Sequence, residues 1–132
     1  MSKFFLRKIL IKVNYWTVVG MGETKERLEE LDVYLKDLLS RAPELQIFGE
    51  YSEKARESRV LNKKFKELIA LGISIAIRCE PCILRHLNEV IKSGANIDEI
   101  VEVIKIAVVM GGGPSLAYGV KAYKAAKELI RV

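Results

Sequence analysis

The sequence predicts an all-α fold, a single helical domain of about six helices. From Glu23 onward, apolar side chains recur at steps of three and four with charged residues between them. The breaks between those runs carry residues that start or stop helices: Pro43, Asn62, Pro81, Gly94, Asn96 and the Gly111–Pro114 turn. With 132 residues, half of them apolar, the chain has the length of one domain that buries a core.

The first helical pattern begins at Glu23, with Leu28, Leu31, Leu35, Leu38 and Leu39 on one side. Pro43 opens a short second helix, since proline is tolerated in a first turn and not further in. Leu45, Phe48 and Tyr51 repeat at steps of three and are expected to face inward. Ser52–Arg59 is charged and reads as a solvated face or loop with no chemistry of its own.

Asn62 suits the N-cap of a third helix, which starts polar at Lys63–Glu67 and continues as LIALGISIAI over residues 68–77. That run is apolar on every side, so burial over most of its surface is expected. Ile73, Ile75 and Ile77 alternate as in a strand, but the smooth join to the polar start favours helix. Pro81 then fits the first turn of a fourth helix with Ile83, Leu84, Leu87, Val90 and Ile91 as its apolar stripe. Gly94 is placed to end it in the left-handed conformation, and Asn96 with Glu99 reads as a capping box for the fifth. Ile97 to Met110 is again nearly all apolar, and Gly111–Pro114 separates it from a last helix over 115–132.

Residues 1–20 stand apart from this pattern. They fit strand and helix periodicities equally, and carry Lys3, Arg7, Lys8 and Lys12 without an acid. They are read either as an extension ahead of a domain over residues 21–132 or as an arm that packs on a neighbouring subunit. Lys8, Lys12 and Asn14 interrupt the apolar run, which makes neither a signal peptide nor a membrane span. Four of the five net positive charges lie in this segment, so the domain itself is near neutral and nucleic acid is not an expected partner.

The chemistry concentrates in residues 67–86. They hold Glu67, both cysteines of the chain, Cys79 and Cys82, and its only histidine, His86. Cys79, Cys82 and His86 fall at i, i+3 and i+7, on one side of a helix, with Cys82 and His86 direct neighbours. A nearby imidazole and a helix N-terminus both favour the thiolate, the reactive form of the sulfur. A reversal near residue 77 would lay Glu67 opposite residue 87, bringing its carboxylate to His86. Glu67 would otherwise be a surface acid stabilising a helix start. Inert packing of the sulfurs, or a zinc site from Cys79, Cys82, His86 and Glu67, are the alternatives. A single cluster lacks the two separated ligand pairs usual for structural zinc. Neither metal nor cofactor is expected, and the cysteine pair points to a cytoplasmic setting.

Taken together, Glu67, eleven residues, Cys79-x-x-Cys82-x-x-x-His86, then Gly94-Ala95, Glu99-Ile100 and Met110–Pro114 resemble the alkylhydroperoxidase (AhpD-like) branch of the carboxymuconolactone decarboxylase superfamily. The resemblance covers roughly residues 43–130. It implies an all-helical, homo-oligomeric protein, a trimer or hexamer, reducing a hydroperoxide substrate with electrons from a dithiol or redox protein. Cys82 would attack the peroxide, Cys79 would resolve the sulfenic acid as a disulfide, His86 would deprotonate Cys82, and Glu67 would complete the relay. Family peroxidases can carry a second histidine between the cysteines. Here Pro81 stands there, and its side chain relays no proton.

Overall fold

The computed structural model describes residues 23–131; the readings of residues 1–20 and of a start near Met21 lie outside the described residues. Five helices follow one another, with no strand among the described residues: α1 (Glu23–Arg41), α2 (Gln46–Arg56), α3 (Lys63–Ala76), α4 (Glu80–Lys92) and α5 (Ile97–Arg131). A 3₁₀ turn, Pro43–Leu45, joins α1 to α2.

The body is an antiparallel α3–α4 hairpin covered by α5. Leu71 and Ile75 from α3, Leu87 and Val90 from α4, and Ile100, Ala122 and Ala126 from α5 are completely buried in one cluster. Burying each large side chain of that set stabilises the fold by about 2 kcal/mol. Sequence-level helix signals act where expected. Asn62 Oδ1 accepts from the Phe65 N–H (2.9 Å), and Asn96 and Glu99 exchange reciprocal bonds of 2.9 Å each. Gly94, at φ 89°, closes α4.

The reversal between α3 and α4 is built without glycine. The Cys79 N–H bonds back to Ser74 O (3.0 Å) and the Arg78 N–H to Ile75 O (3.1 Å), a left-handed helix end with Arg78 at φ 62°. A non-glycine residue in that conformation costs about 1–2 kcal/mol, and the turn it makes delivers Cys79 directly to the N-cap of α4.

Ile97–Arg131 is long and apolar enough, by length and composition, to cross a membrane, yet it is not one rod. Gly112 takes φ 71° and ψ −155°, outside helical geometry. In a continuous helix, residues 104 and 119 would lie about 22 Å apart. Instead, a Cβ placed on Gly119 would come within 2.7 Å of Ile104 Cγ2, so the halves fold back on each other. The break falls in the glycine–proline turn expected to end the fifth helix and begin the sixth.

Three expectations about burial are corrected. Leu45, Phe48 and Tyr51 do not face a core, and α2 has no buried residue. Among the described residues its main neighbours are the 3₁₀ turn and α3, and its apolar side stays exposed. Along α1, Leu28 and Leu31 pack on the core, whereas Leu35 and Leu38 lie past the body and are exposed. Residues 68–77 are buried on one face only: Leu71, Ser74 and Ile75 are inside, while Ile69, Ile73 and Ile77 are more than half exposed. Ile69 and Ile73 border an open apolar groove of about 570 Å³ between α3 and the first half of α5, which also takes in Phe65, Ile106 and Met110.

Candidate functional site

Antiparallel pairing of α3 and α4 sets Glu67 beside His86, as the reversal near residue 77 predicts. Glu67 is completely buried, and its Oε2 lies 2.7 Å from His86 Nδ1. The bland alternative of a surface acid is thereby excluded. The other carboxylate oxygen, Oε1, accepts from the Arg56 guanidinium at 2.8 Å. A buried carboxylate needs both hydrogen-bond donors and a counter-charge, and Arg56 supplies each. With Nδ1 committed to Glu67, the free ring nitrogen of His86 is Nε2.

Arg56 was missed in the sequence, where Ser52–Arg59 reads as a solvated segment without chemistry. The structure corrects this: Arg56 is the last residue of α2, and its Nε donates to Ser52 O (3.1 Å) one turn back. No periodicity marks it. The available signal was indirect, because a carboxylate placed inside the fold calls for a cation on some neighbouring element.

Cys79 and Cys82 are joined by a disulfide, their Cα atoms 5.2 Å apart, and both are partly exposed. Cys79 is the N-cap of α4 rather than a member of the helix, so the shared helix face applies to Cys82 and His86 only. Cys82 sits in the first turn, where no side chain caps the helix. The N-terminal end of a helix dipole favours negative charge, including a thiolate. His86 follows Cys82 by one turn; while the sulfur is held in the disulfide, no hydrogen bond joins the two among the described residues. The sulfurs bond to each other and His86 faces Glu67. No group of three or more His, Cys, Asp or Glu side chains among the described residues is arranged to hold a metal.

The segment between the cysteines is anchored from two sides. Glu80 takes Arg27 of α1 at 2.8 Å and Lys121 of α5 at 3.3 Å. The hydrogen bond from Arg27, aided by Lys121, holds the Glu80 carboxyl below its ordinary range against a smaller opposing effect of burial. Next to it, exposed Pro81 borders a pocket of about 240 Å³ lined with Arg27, Glu30, Leu31, Tyr34 and Leu84. The larger α3–α5 groove contains none of Glu67, Cys79, Cys82 or His86. The smaller pocket contains none of them either and adjoins the cysteine segment through Pro81.

The site is thus a CxxC disulfide at a helix start in a helical body, with a buried carboxylate bonded to a partly exposed imidazole one turn on. The chain belongs to the carboxymuconolactone decarboxylase family, whose sequence model matches residues 43–125. A family protein of Legionella pneumophila has a similar structure, with a TM-score of 0.78 and 33% identity over 82% of this chain and 97% of that one. A Thermotoga maritima member, described as a candidate for involvement in an antioxidative response, gives 0.74 and 29% over 80% and 91%. An uncharacterised Cupriavidus necator protein is 30% identical over 101 residues, 76% of this chain and 89% of its own.

Proposed function

We propose that this protein is a thiol-dependent peroxidase that cycles between the Cys79–Cys82 dithiol and its disulfide. The observation that carries the reading is the buried Glu67 carboxylate bonded to a partly exposed His86, one turn after a partly exposed disulfide at the start of α4. In the reduced protein, His86 Nε2 takes the thiol proton of Cys82, while Glu67 holds the ring by Nδ1. The Cys82 thiolate attacks the distal oxygen of a hydroperoxide and the O–O bond breaks. Cys82 becomes a sulfenic acid, and the leaving alkoxide departs as an alcohol with one proton. The Cys79 sulfur then attacks the sulfenic sulfur, forming the disulfide, and the displaced hydroxide leaves as water with the Cys79 thiol proton. A dithiol donor supplies two electrons and two protons to restore both thiols.

Cys82 suits the attacking role because it shares a helix with His86 at i, i+4 and lies in the uncapped first turn. Cys79, outside the helix, is the sulfur freer to move in and resolve. The similarity to the Thermotoga maritima protein supports an antioxidant role. The exposed isoleucines of α3 and aromatics of α2 support homo-oligomeric assembly, since single-chain surfaces of this kind are usually covered by a partner.

The test is turnover of an organic hydroperoxide with dithiothreitol as reductant, in the wild type and in Cys82→Ser and Cys79→Ser. The expected result is loss of turnover in both, with a sulfenic acid that dimedone traps only in Cys79→Ser. Unchanged turnover in Cys82→Ser sinks the assignment of the nucleophile. Reduction of a protein disulfide without any hydroperoxide turnover would make the protein a thiol–disulfide reductase instead.

A further inference from the structure

We propose that Arg56 is the positioning residue of the redox site: it holds Glu67 against His86 and supplies the site's fixed positive charge. The inference rests on His86 acting as the base for Cys82. Arg56 reaches the site from α2, whose attachment to the body is almost wholly polar. Lys66 donates to Ala55 O and Glu57 O, both at 2.8 Å, gripping the chain on either side of Arg56. The adjacent Glu67 grips the Arg56 side chain itself. Neighbouring residues of α3 thus clasp the end of α2 by backbone and by guanidinium, and no residue of α2 is buried among the described residues. An arginine held so firmly on so exposed a helix is aimed at one buried group.

The charge count gives the reason. With Cys82 as thiol, His86 neutral, Glu67 ionised and Arg56 charged, the set sums to zero. Passing the thiol proton to His86 keeps it at zero. Without Arg56 the same set carries one negative charge, and a mostly buried set relieves that by binding a further proton. That proton fills His86 before Cys82 can give up its own. The groups around His86 are Glu67 of α3, Arg56 of α2 behind it, and Cys82 and Glu89 one turn away on α4. Glu89 is already paired with Lys63 and Lys92. Arg56 is thus the only cation bonded to the Glu67 carboxylate among the described residues.

The experiment uses the full chain, reduced with dithiothreitol, and measures the rate of Cys82 alkylation by iodoacetamide from pH 5 to 9. The proteins compared are the wild type, Arg56→Gln, Arg56→Lys and His86→Gln. In Arg56→Gln the acid limb is expected to move up by about one pH unit, a loss of about tenfold on that limb. Arg56→Lys, which keeps the charge, is expected to recover most of the shift. Superposable profiles for Arg56→Gln and the wild type would overturn the proposal. So would an equal shift in Arg56→Gln and Arg56→Lys, which would mark a role in shape alone. If Arg56→Gln fails to fold, a wild-type profile in Arg56→Lys supports the proposal and a profile shifted by a full unit overturns it. Because no peroxide is present, absent peroxidase turnover leaves this result standing. A limb unaltered in His86→Gln removes the base on which it rests.

Discussion

Replacing Glu67 by glutamine changes one oxygen to an NH2 group and leaves the shape alone, yet it is expected to be among the costliest single changes in the chain. The native carboxylate has no solvent exposure and spends one oxygen on Arg56 at 2.8 Å and the other on His86 at 2.7 Å. Removing one member of a buried ion pair generally costs about 3–5 kcal/mol, because the other charge stays desolvated. Here the Arg56 side chain keeps about a quarter of its surface in water (27%), so the cost falls at or just below the low end of that range. Roughly 2–3 kcal/mol is expected for Glu67→Gln. With its oxygen on Arg56, the amide turns its NH2 to His86 Nδ1, which must then accept, so the ring proton moves to Nε2. Urea unfolding followed by circular dichroism reads the loss as a lower midpoint at unchanged slope. Adding Arg56→Met to Glu67→Gln should cost less than adding it to the wild type, as the stranded charge leaves with it. A loss below about 0.5 kcal/mol, or additive effects in the double variant, would refute the account of Glu67 as a buried, charge-balanced group.

Two further outcomes are expected. Glu80 has a depressed native carboxyl, so its stabilisation is present above the ordinary carboxylate value of 4.5 and is lost as pH falls through the native value. Glu80→Gln should therefore lower stability by about 0.5–1 kcal/mol at pH 7 and approach the wild type at pH 3, measured as thermal midpoints; an equal gap at both pH values would contradict the Arg27–Glu80–Lys121 bridge. Assembly of several copies should appear in light scattering at micromolar concentration as a mass of at least three chains, and Ile73→Glu, at an exposed apolar position, should lower that mass; a monomer in the wild type would oppose the proposal.

Local signals in the sequence located most of the site. The i, i+4 relation of Cys82 to His86 and the expected reversal near residue 77 together put Glu67 next to the imidazole. Asn62, Gly94 and the Asn96–Glu99 pair read correctly because capping is chemistry between neighbours in sequence. Arg56 was illegible because its partner lies across a helix junction, and nothing within its own helix marks it. The exposed faces of α2 and α3 misled for a related reason. Periodicity says which side of a helix is apolar, not whether this chain covers it. Arg78 ends α3 in a conformation usually given to glycine, so its sequence carried no sign of a helix stop.

Gly112 has a consequence for size. As one rod, Ile97–Arg131 would run about 52 Å. Folded at Gly112 it becomes two rods of about 22 and 28 Å, close to the roughly 20 Å of α3 and α4 on which they lie. The height of the bundle is thus set by a single backbone angle. Residues inserted between Ile97 and Gly111 would push that half beyond its neighbours.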